Sequence, residues 1–215
     1  MPMGAPADIE VAWRGHLRVT VFDGGTVPDL GRILAAGDTA AYVDSACAGQ
    51  DRLPADAGEF VLVLSTAAAA RLDVADAFAA AAGERFPELR DDQLRVHEAL
   101  QEAVANAVMH GNLALDGSLR ATLSDLRSYA AEMERRLHDP AYAERAVTIS
   151  ALRRKQGIAV RVEDSGNGFT PPPPHAFRLS AGGGNGLAII RSCCRRVTFS
   201  RGGRRITMLF RDSVA

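Results

Sequence analysis

Two glycine-rich segments, each at the junction between two predicted elements, constrain the fold of this chain more than any other feature. Segment 164–168 (DSGNG) directly follows an apolar stretch, and segment 182–186 (GGGNG) precedes a stretch with helical spacing. Glycine at a strand end lets the backbone approach a flat ligand closely. A glycine run entering a helix exposes N–H groups that suit phosphate. Taken singly, each segment is more often a plain turn or a flexible loop.

The hydrophobic pattern around these segments predicts an α/β fold, a two-layer sandwich with helices covering one face of a mainly antiparallel sheet. Apolar or alternating stretches predict strands over 17–22, 60–64, 147–152, 158–163, 197–200 and 205–210. Helical spacing predicts helices over 28–36, 71–85, 91–110, 119–137 and 187–196. Residues 40–47 fit either type of element.

Composition excludes several classes of protein. The 215 residues are 47% hydrophobic, enough for a real core, yet no apolar run reaches the ~18–20 residues that cross a bilayer. The first residues lack the pattern of a secretory signal. Three cysteines, two of them adjacent, form neither a disulfide framework nor a zinc site. We therefore expect a reduced, cytoplasmic protein without a membrane partner.

Charge is distributed unevenly along the chain. Residues 1–98 hold 8 Arg and 16 acidic residues, whereas residues 99–215 hold 17 basic and 10 acidic residues. The basic half includes an arginine cluster: Arg191, Arg195, Arg196, Arg201, Arg204, Arg205 and Arg211. Aromatic residues do not interleave with this cluster, so a solvated face, or one docking the acidic half, is favoured over a nucleic-acid site.

The predicted helix over 91–110 carries a polar face. Glu98, Glu102 and Asn106 are spaced four residues apart and share this face, while apolar residues line the other. A carboxylate and a carboxamide one turn apart can serve a hard cation and an adjacent hydroxyl. A solvated polar face is the alternative interpretation.

The order of these three segments is more specific than any one of them. Glu-x-x-x-Asn on a helix, Asp-x-Gly-x-Gly after a strand and Gly-x-Gly-Leu at a helix start resemble the N, G1 and G2 boxes of the GHKL superfamily. Its members include the ATP-binding domains of gyrase, the heat-shock chaperone, sensor histidine kinases and MutL. The resemblance covers about residues 60–212 and implies a Bergerat-type ATP-binding fold.

The resemblance implies roles on the base side of an ATP site. Asp164 would accept a hydrogen bond from the adenine amino group, and Gly166 and Gly168 would let the backbone lie against the base. Thr207, on the last predicted strand, would help to hold Asp164 and a bridging water.

On the phosphate side, the resemblance implies that Asn106 coordinates Mg²⁺ and that Glu102 is the general base. His110 would either contact phosphate or simply stabilise the end of its helix. The lid and phosphate cradle would be formed by Gly182, Gly184, Asn185, Gly186 and Leu187. Pro171–Pro174, between the G1 and G2 boxes, favours a stiff, extended segment. The implied cofactors are ATP and Mg²⁺.

Two domains are predicted. Residues 1–58 form an N-terminal extension, either a degenerate receiver-like unit or extra strands on the main sheet. Residues 59–215 form the ATP-binding domain, with a helical insertion at about 115–142. That insertion resembles one found in some proteobacterial relatives.

The pair His110-Gly111 after Asn106 is similar to the branch of bacterial anti-sigma-factor serine/threonine kinases. This branch implies a protein kinase that acts as a partner-switching regulator, with a small antagonist protein or a sigma factor as its partner. A homodimer through the helix over 119–137 is a further expectation. The alternatives are a sequestering module with weak catalysis and a histidine-kinase-like catalytic domain.

Overall fold

The structure, a computed structural model, describes residues 10–14, 17–35, 39–47, 58–116, 123–171 and 185–210. The predictions for Gly182, Gly184 and most of the proline run lie outside these ranges. Among the described residues, no helix is long and apolar enough to cross a membrane.

A single mixed sheet of eight strands organises the described chain, in the order β1-β2-β3-β4-β5-β6-β8-β7. The strands are β1 (Glu10–Arg14), β2 (Leu17–Phe22), β3 (Ala41–Asp44), β4 (Phe60–Ser65), β5 (Ala146–Arg154), β6 (Gly157–Glu163), β7 (Arg196–Ser200) and β8 (Arg205–Leu209). The pairs β2–β3 and β3–β4 are parallel and the other pairs are antiparallel. The predicted α/β class is confirmed.

Seven α-helices accompany the sheet in the described ranges. They are α1 (Leu30–Ala35), α2 (Thr66–Arg71), α3 (Val74–Arg85), α4 (Gln93–Asn106), α5 (Leu123–Leu137), α6 (Pro140–Ala143) and α7 (Gly186–Cys193). The main core lies between the sheet and this helical layer; in it Phe60 of β4 stacks on Phe78 of α3, with ring centroids 4.5 Å apart. Each large apolar side chain buried there contributes about 1.5–3 kcal/mol.

The first strands belong to the same sheet as the rest of the chain. A buried carboxylate, Asp44 at the end of β3, joins them to the start of α2. It accepts hydrogen bonds from the Gly24 N–H (3.0 Å), the Ser65 N–H (3.1 Å) and the Ser65 hydroxyl (2.6 Å). Ser65 in turn caps α2. The described strands of this region, β1, β2 and β3, lie in the same sheet as β4 to β8, and the division into two domains stays a prediction.

The predicted helix over 71–85 corresponds to α3, and a separate helix that the sequence did not predict, α2, lies directly before it. The chain is extended at Leu72 (φ −88°, ψ 150°), where α2 ends, and the Asp73 side chain accepts from the Asp76 N–H to begin α3. Alanine favours a helix on both sides of this point, but the Asp73 side chain competes for backbone donors and restarts the helix.

The predicted helix over 91–110 covers three helical segments of different type in the structure. A 3₁₀ turn over Pro87–Asp92 precedes α4, and a π-helical turn over Ala107–Asn112 follows it. The wider π turn holds one more residue per turn than an α-helix, and such turns are frequent at functional sites.

The predicted insertion contains α5 and α6. One face of α5 packs on the domain through Tyr129, Met133 and Leu137, and Leu126 remains 46% exposed. Arg136 also donates to the carbonyl of Ala114 (2.9 Å), just after the π turn. The amphipathic pattern of α5 is therefore used, at least in part, within its own domain.

Candidate functional site

A pocket of about 300 Å³ lies between α4, the end of β6, the beginning of α7 and the β7–β8 hairpin. Five of the residues predicted from the sequence line it: Asn106, His110, Asp164, Gly168 and Leu187. Apolar side chains from both the helices and the strands form the remaining walls, among them Val162, Phe199 and Ile206. The topology thus brings together the helix-borne and strand-borne segments that are about 60 residues apart in the sequence.

Asp164 presents its carboxyl group to this pocket at the end of β6. Its Oδ1 accepts a hydrogen bond from the Gly166 N–H at 2.8 Å, which fixes the side chain over the following turn. Burial raises the pKa of the Asp164 carboxyl, and the Gly166 N–H and the charge of Arg204 oppose this shift only in part. A partly desolvated acceptor at the wall of an apolar pocket suits an amino group on a flat ring.

The loop after Asp164 is held by close contacts between backbone segments. A Cβ on Gly166 would overlap the carbonyl oxygen of Gly111, and a Cβ on Gly111 would lie 2.5 Å from Asp164 Cγ. Gly168, with φ +75°, passes just as closely to the carbonyl oxygen of Gly202. These positions accept no side chain, because each faces backbone or the Asp164 carboxyl.

Asn112 is a site residue that the sequence analysis did not identify. It is fully buried (0% exposed) at the end of the π turn. Its Oδ1 accepts from the Ser165 N–H at 2.7 Å, and its Nδ2 donates to Thr66 Oγ1 (2.9 Å) and to the Ala146 carbonyl (3.1 Å). One side chain therefore ties the G1 loop to α2 and β5. The only signal in the sequence was an Asn directly after the His-Gly pair.

The predicted polar face of α4 lies against α7. A Cβ on Gly186, the first residue of α7, would lie 2.6 Å from Glu102 Oε2 and 3.3 Å from Asn106 Nδ2. Within the described residues the Glu102 carboxylate makes no hydrogen bond or ion pair. The N-terminal turn of α7 therefore lies directly beside Glu102, the candidate general base, and Asn106, the candidate metal ligand.

Glu98, one turn before Glu102, is engaged differently. The Cys193 thiol donates a hydrogen bond to Glu98 Oε2 at 3.4 Å, near the end of α7. Burial raises the pKa of Cys193, and it raises the pKa of Cys194 to about 12, so both thiols are protonated at neutral pH. This is the behaviour expected of packed thiols.

His110 lines the pocket, and Asn185 lies directly before α7, the helix that bounds it. His110 is exposed, and its Nδ1 lies 3.0 Å from the Leu115 carbonyl, which fixes that nitrogen as the protonated one. Asn185 immediately precedes α7, and its side chain makes no capping hydrogen bond there.

Thr207 lies on the other face of the sheet, away from the pocket. On β8, Ile206 lines the pocket and Met208 is buried in the same core, so Thr207 between them points to the opposite side. It faces an outer groove together with Thr198 and Leu209. Arg204, directly before β8, lines the pocket instead, and its charge acts on Asp164. Because side chains alternate between the two faces of β8, the prediction that Thr207 helps to hold Asp164 is corrected: Thr207 lies on the outer face.

Fold and pocket together define an α/β nucleotide-binding domain in which one wall is a helix with acidic and amide groups and the other is a glycine-rich turn after a strand. A family model described as histidine kinase-like ATPase domain matches residues 65–210. The chain therefore belongs to the histidine kinase-like ATPase family, which indicates an ATP-binding, kinase-like function. No match was found among curated proteins.

The residues present fit a nucleotide. The pocket offers an acceptor, Asp164, beside apolar walls, and the close backbone approaches at Gly111, Gly166 and Gly168 set the shape of the turn around it. Asn106 supplies an oxygen donor of the kind that Mg²⁺ accepts, close to the start of α7.

Proposed function

We propose that this protein binds ATP with Mg²⁺ in the pocket and transfers phosphate to a serine or threonine of a small regulatory protein, as anti-sigma-factor kinases do. The observation that carries the proposal is the position of Glu102 and Asn106 beside the first turn of α7, at one side of the pocket that holds Asp164. Phosphoryl transfer is mostly positioning and charge neutralisation, so few side chains are needed.

The base would be held by residues at the end of β6. Asp164 would accept from the adenine amino group, and the backbone at Gly166 and Gly168 would lie against the ring. Val162 and Ile206 of the sheet and Phe169 of the loop supply apolar contact at the same pocket. This arrangement supports adenine recognition through one directed hydrogen bond and apolar contact.

The phosphates would lie towards α7. The N–H groups at a helix start carry partial positive charge and favour phosphate. Asn106 would hold Mg²⁺, which would neutralise phosphate charge. The Glu102 carboxylate is available as an acceptor for the proton of an incoming hydroxyl, and this step is what general-base catalysis requires of it.

The choice of a serine/threonine kinase rests on the resemblance of His110-Gly111 to the anti-sigma-factor branch. The partner would be a small antagonist protein or a sigma factor. A homodimer through the exposed part of α5, where Leu126 is 46% exposed, belongs to the same proposal.

The experiment is transfer of radiolabelled phosphate from ATP to candidate antagonist proteins encoded near this gene, followed by acid treatment of the product. We expect an acid-stable phosphoserine or phosphothreonine. Glu102→Gln keeps the shape of the side chain and removes its basicity, so the transfer rate should fall by about 10²–10⁴-fold while ATP affinity stays within about threefold.

The other outcomes separate the alternatives. An acid-labile product would replace the serine/threonine assignment with histidine phosphorylation. ATP binding without transfer to any candidate would identify a sequestering module. Absence of ATP binding at millimolar concentration would refute the proposal as a whole.

A further inference from the structure

The outer face of the sheet carries a groove that the nucleotide site does not use. It has a volume of about 350 Å³ and runs from the β5–β6 turn to β7. Its floor is formed by Ala159, Leu209, Thr198 and Thr207, and its rim by Arg154, Lys155 and Arg196. Strand pairing fixes this arrangement, since Arg196 pairs with Leu209 and Leu209 pairs with Ala159.

The rim cations differ from the other cations of these strands. Arg153 pairs with Glu59 and Glu88, and Arg205 pairs with Glu163 at 2.7 Å. By contrast, Arg154, Lys155 and Arg196 are exposed and make no ion pair with any residue in the described part of the chain. Three positive charges around one groove repel each other and favour an anionic occupant.

Among the described strand residues, no carboxylate on this face is available to neutralise the rim. Across strands β5, β6, β7 and β8, which are described in full, Glu163 is the single acidic residue. Its two oxygens are bound by Arg201 and Arg205, both at 2.7 Å. The described residues therefore leave the groove positively charged.

The groove also borders an edge of the sheet. β7 is the terminal strand of the order, and no other described strand lies beside its outer side. A strand edge can pair with an extended peptide through the backbone. In an extended peptide, alternate side chains point the same way about 7 Å apart, so acidic residues at every second position would lie on the face of the sheet that carries the rim cations.

We propose that this groove and the β7 edge bind an acidic, extended segment of a partner protein. A protein segment is favoured over nucleic acid because aliphatic and threonine side chains form the floor, and none of the described residues that line the groove has an aromatic ring for base stacking. Phe199 of β7 points to the opposite side, where it contacts Phe169 with ring centroids 5.5 Å apart. The segment would bind independently of ATP.

The test uses a fluorescein-labelled decapeptide of alternating Glu and Thr, titrated with the full chain by fluorescence anisotropy. The test variant carries Arg154→Glu, Lys155→Glu and Arg196→Glu. The control variant carries Arg18→Glu, Arg90→Glu and Arg127→Glu, three exposed arginines outside the groove with the same change in charge. We expect the groove variant to bind at least about tenfold more weakly and the control to stay within about twofold.

A second peptide, N-methylated at alternate residues, keeps the charge but removes the backbone donors needed for strand addition. It should bind about tenfold more weakly than the unmodified peptide. Equal losses in both triple variants would overturn the proposal, as would tighter, groove-dependent binding of a ten-residue oligothymidylate. Sedimentation gives a further test. If the unaltered protein and the control variant form a dimer and the groove variant does not, the groove binds a second copy of this chain and the proposal is overturned.

ATP affinity separates this inference from the proposed function. Both triple variants should bind ATP like the unaltered protein, because the groove and the pocket lie on opposite faces of the sheet. Failure of ATP binding in every variant would refute the proposed function and leave the peptide result standing.

Discussion

The two halves of the pocket are built differently. On the side proposed to hold the base, the glycines face backbone atoms: Gly166 faces the Gly111 carbonyl and Gly168 faces the Gly202 carbonyl. On the side proposed to hold the phosphates, Gly186 faces the ends of the Glu102 and Asn106 side chains. Backbone cannot yield without moving a whole turn, whereas a side-chain end can rotate away. The base side is thus fixed in shape, and the phosphate side can adjust.

This difference matches what the proposed phosphoryl transfer would require of the site. A flat base needs one complementary shape throughout the reaction. The phosphate side must accommodate a metal ion and changing charge. Changes to the same type of residue on the two sides should therefore have different consequences.

The largest effect is expected for Gly166→Ala. The added methyl group would overlap the Gly111 carbonyl, so the π turn or the G1 loop must move. Such overpacking costs about 1–3 kcal/mol of unfolding free energy. Urea denaturation measures this loss, and calorimetry should show no ATP binding. A folded variant with unchanged stability and ATP affinity would contradict the fixed shape of this side.

Asp164→Ala removes a charged hydrogen-bond acceptor without altering the backbone. We expect ATP affinity to fall by about 10–100-fold, because hydrogen bonds to charged groups contribute about 1.5–3 kcal/mol. Calorimetry with ATP measures this loss of affinity, and calorimetry with GTP shows whether the loss is specific for adenine. Unchanged ATP affinity would remove Asp164 from base recognition.

Gly186→Ala tests the adjustable side. The new methyl group would lie 2.6 Å from Glu102 Oε2, and the carboxylate can rotate away from it. We expect unchanged folding and ATP affinity within about threefold, but phosphate transfer slowed by about tenfold or more, since a displaced base is poorly placed. Comparison of transfer rates at saturating ATP is the measurement. A loss of stability equal to that of Gly166→Ala would show that both sides are rigid.

Asp164→Asn tests how the charge of Asp164 affects the stability of the folded state. Since burial raises the pKa of Asp164, the folded state favours the neutral carboxyl, and ionisation at neutral pH lowers stability. The variant should therefore melt at a higher temperature at pH 7. This advantage should shrink as pH falls through the raised pKa and vanish below about 3.9, the usual value for Asp, where both side chains are neutral.

Thermal melting between pH 3.5 and pH 8 follows this difference, with the exposed Asp91→Asn as the matched control. A variant that is less stable than the unaltered protein at pH 7 would show that the Asp164 charge is well compensated.

The smallest effect is expected for Thr207→Ala. Because Thr207 faces the outer groove, its removal should change ATP affinity by less than about twofold, whereas Arg204→Ala should weaken binding several-fold through the lost charge. The reverse order of effects would restore the role that the family resemblance implies for Thr207.

Much of this fold was predictable from hydrophobic periodicity, which located β4, β5, β6 and β8 closely. The apolar alternation of β8 even contained the signal that places Thr207 outside, because Ile206 and Met208 flank it and must face the core. The resemblance located the helix and loop segments of the pocket, since these depend on side chains at fixed local spacing.

Other features depend on tertiary contacts and had no local signal. The π turn follows a run with ordinary α-helical spacing, and the contacts of Asn112 with Thr66, Ala146 and Ser165 span 34 to 53 residues of the chain. The break at Leu72 lies in a stretch where alanines on both sides favour a helix. Local propensity cannot predict which of these carbonyls and amides will find distant partners.

The hydrogen bonds of Asp44 determine where the chain can be truncated at its N-terminal end. Sequence similarity to the family begins at residue 65, but Ser65 itself donates both its N–H and its hydroxyl to Asp44, on a strand 21 residues earlier. A fragment cut at the family boundary would lack β4 and leave the cap of α2 without its acceptor. It would also bare the side of α3 that covers Phe60. The region that matches the family, residues 65–210, is therefore shorter than the segment needed for folding. An expressed ATPase fragment should begin before β2.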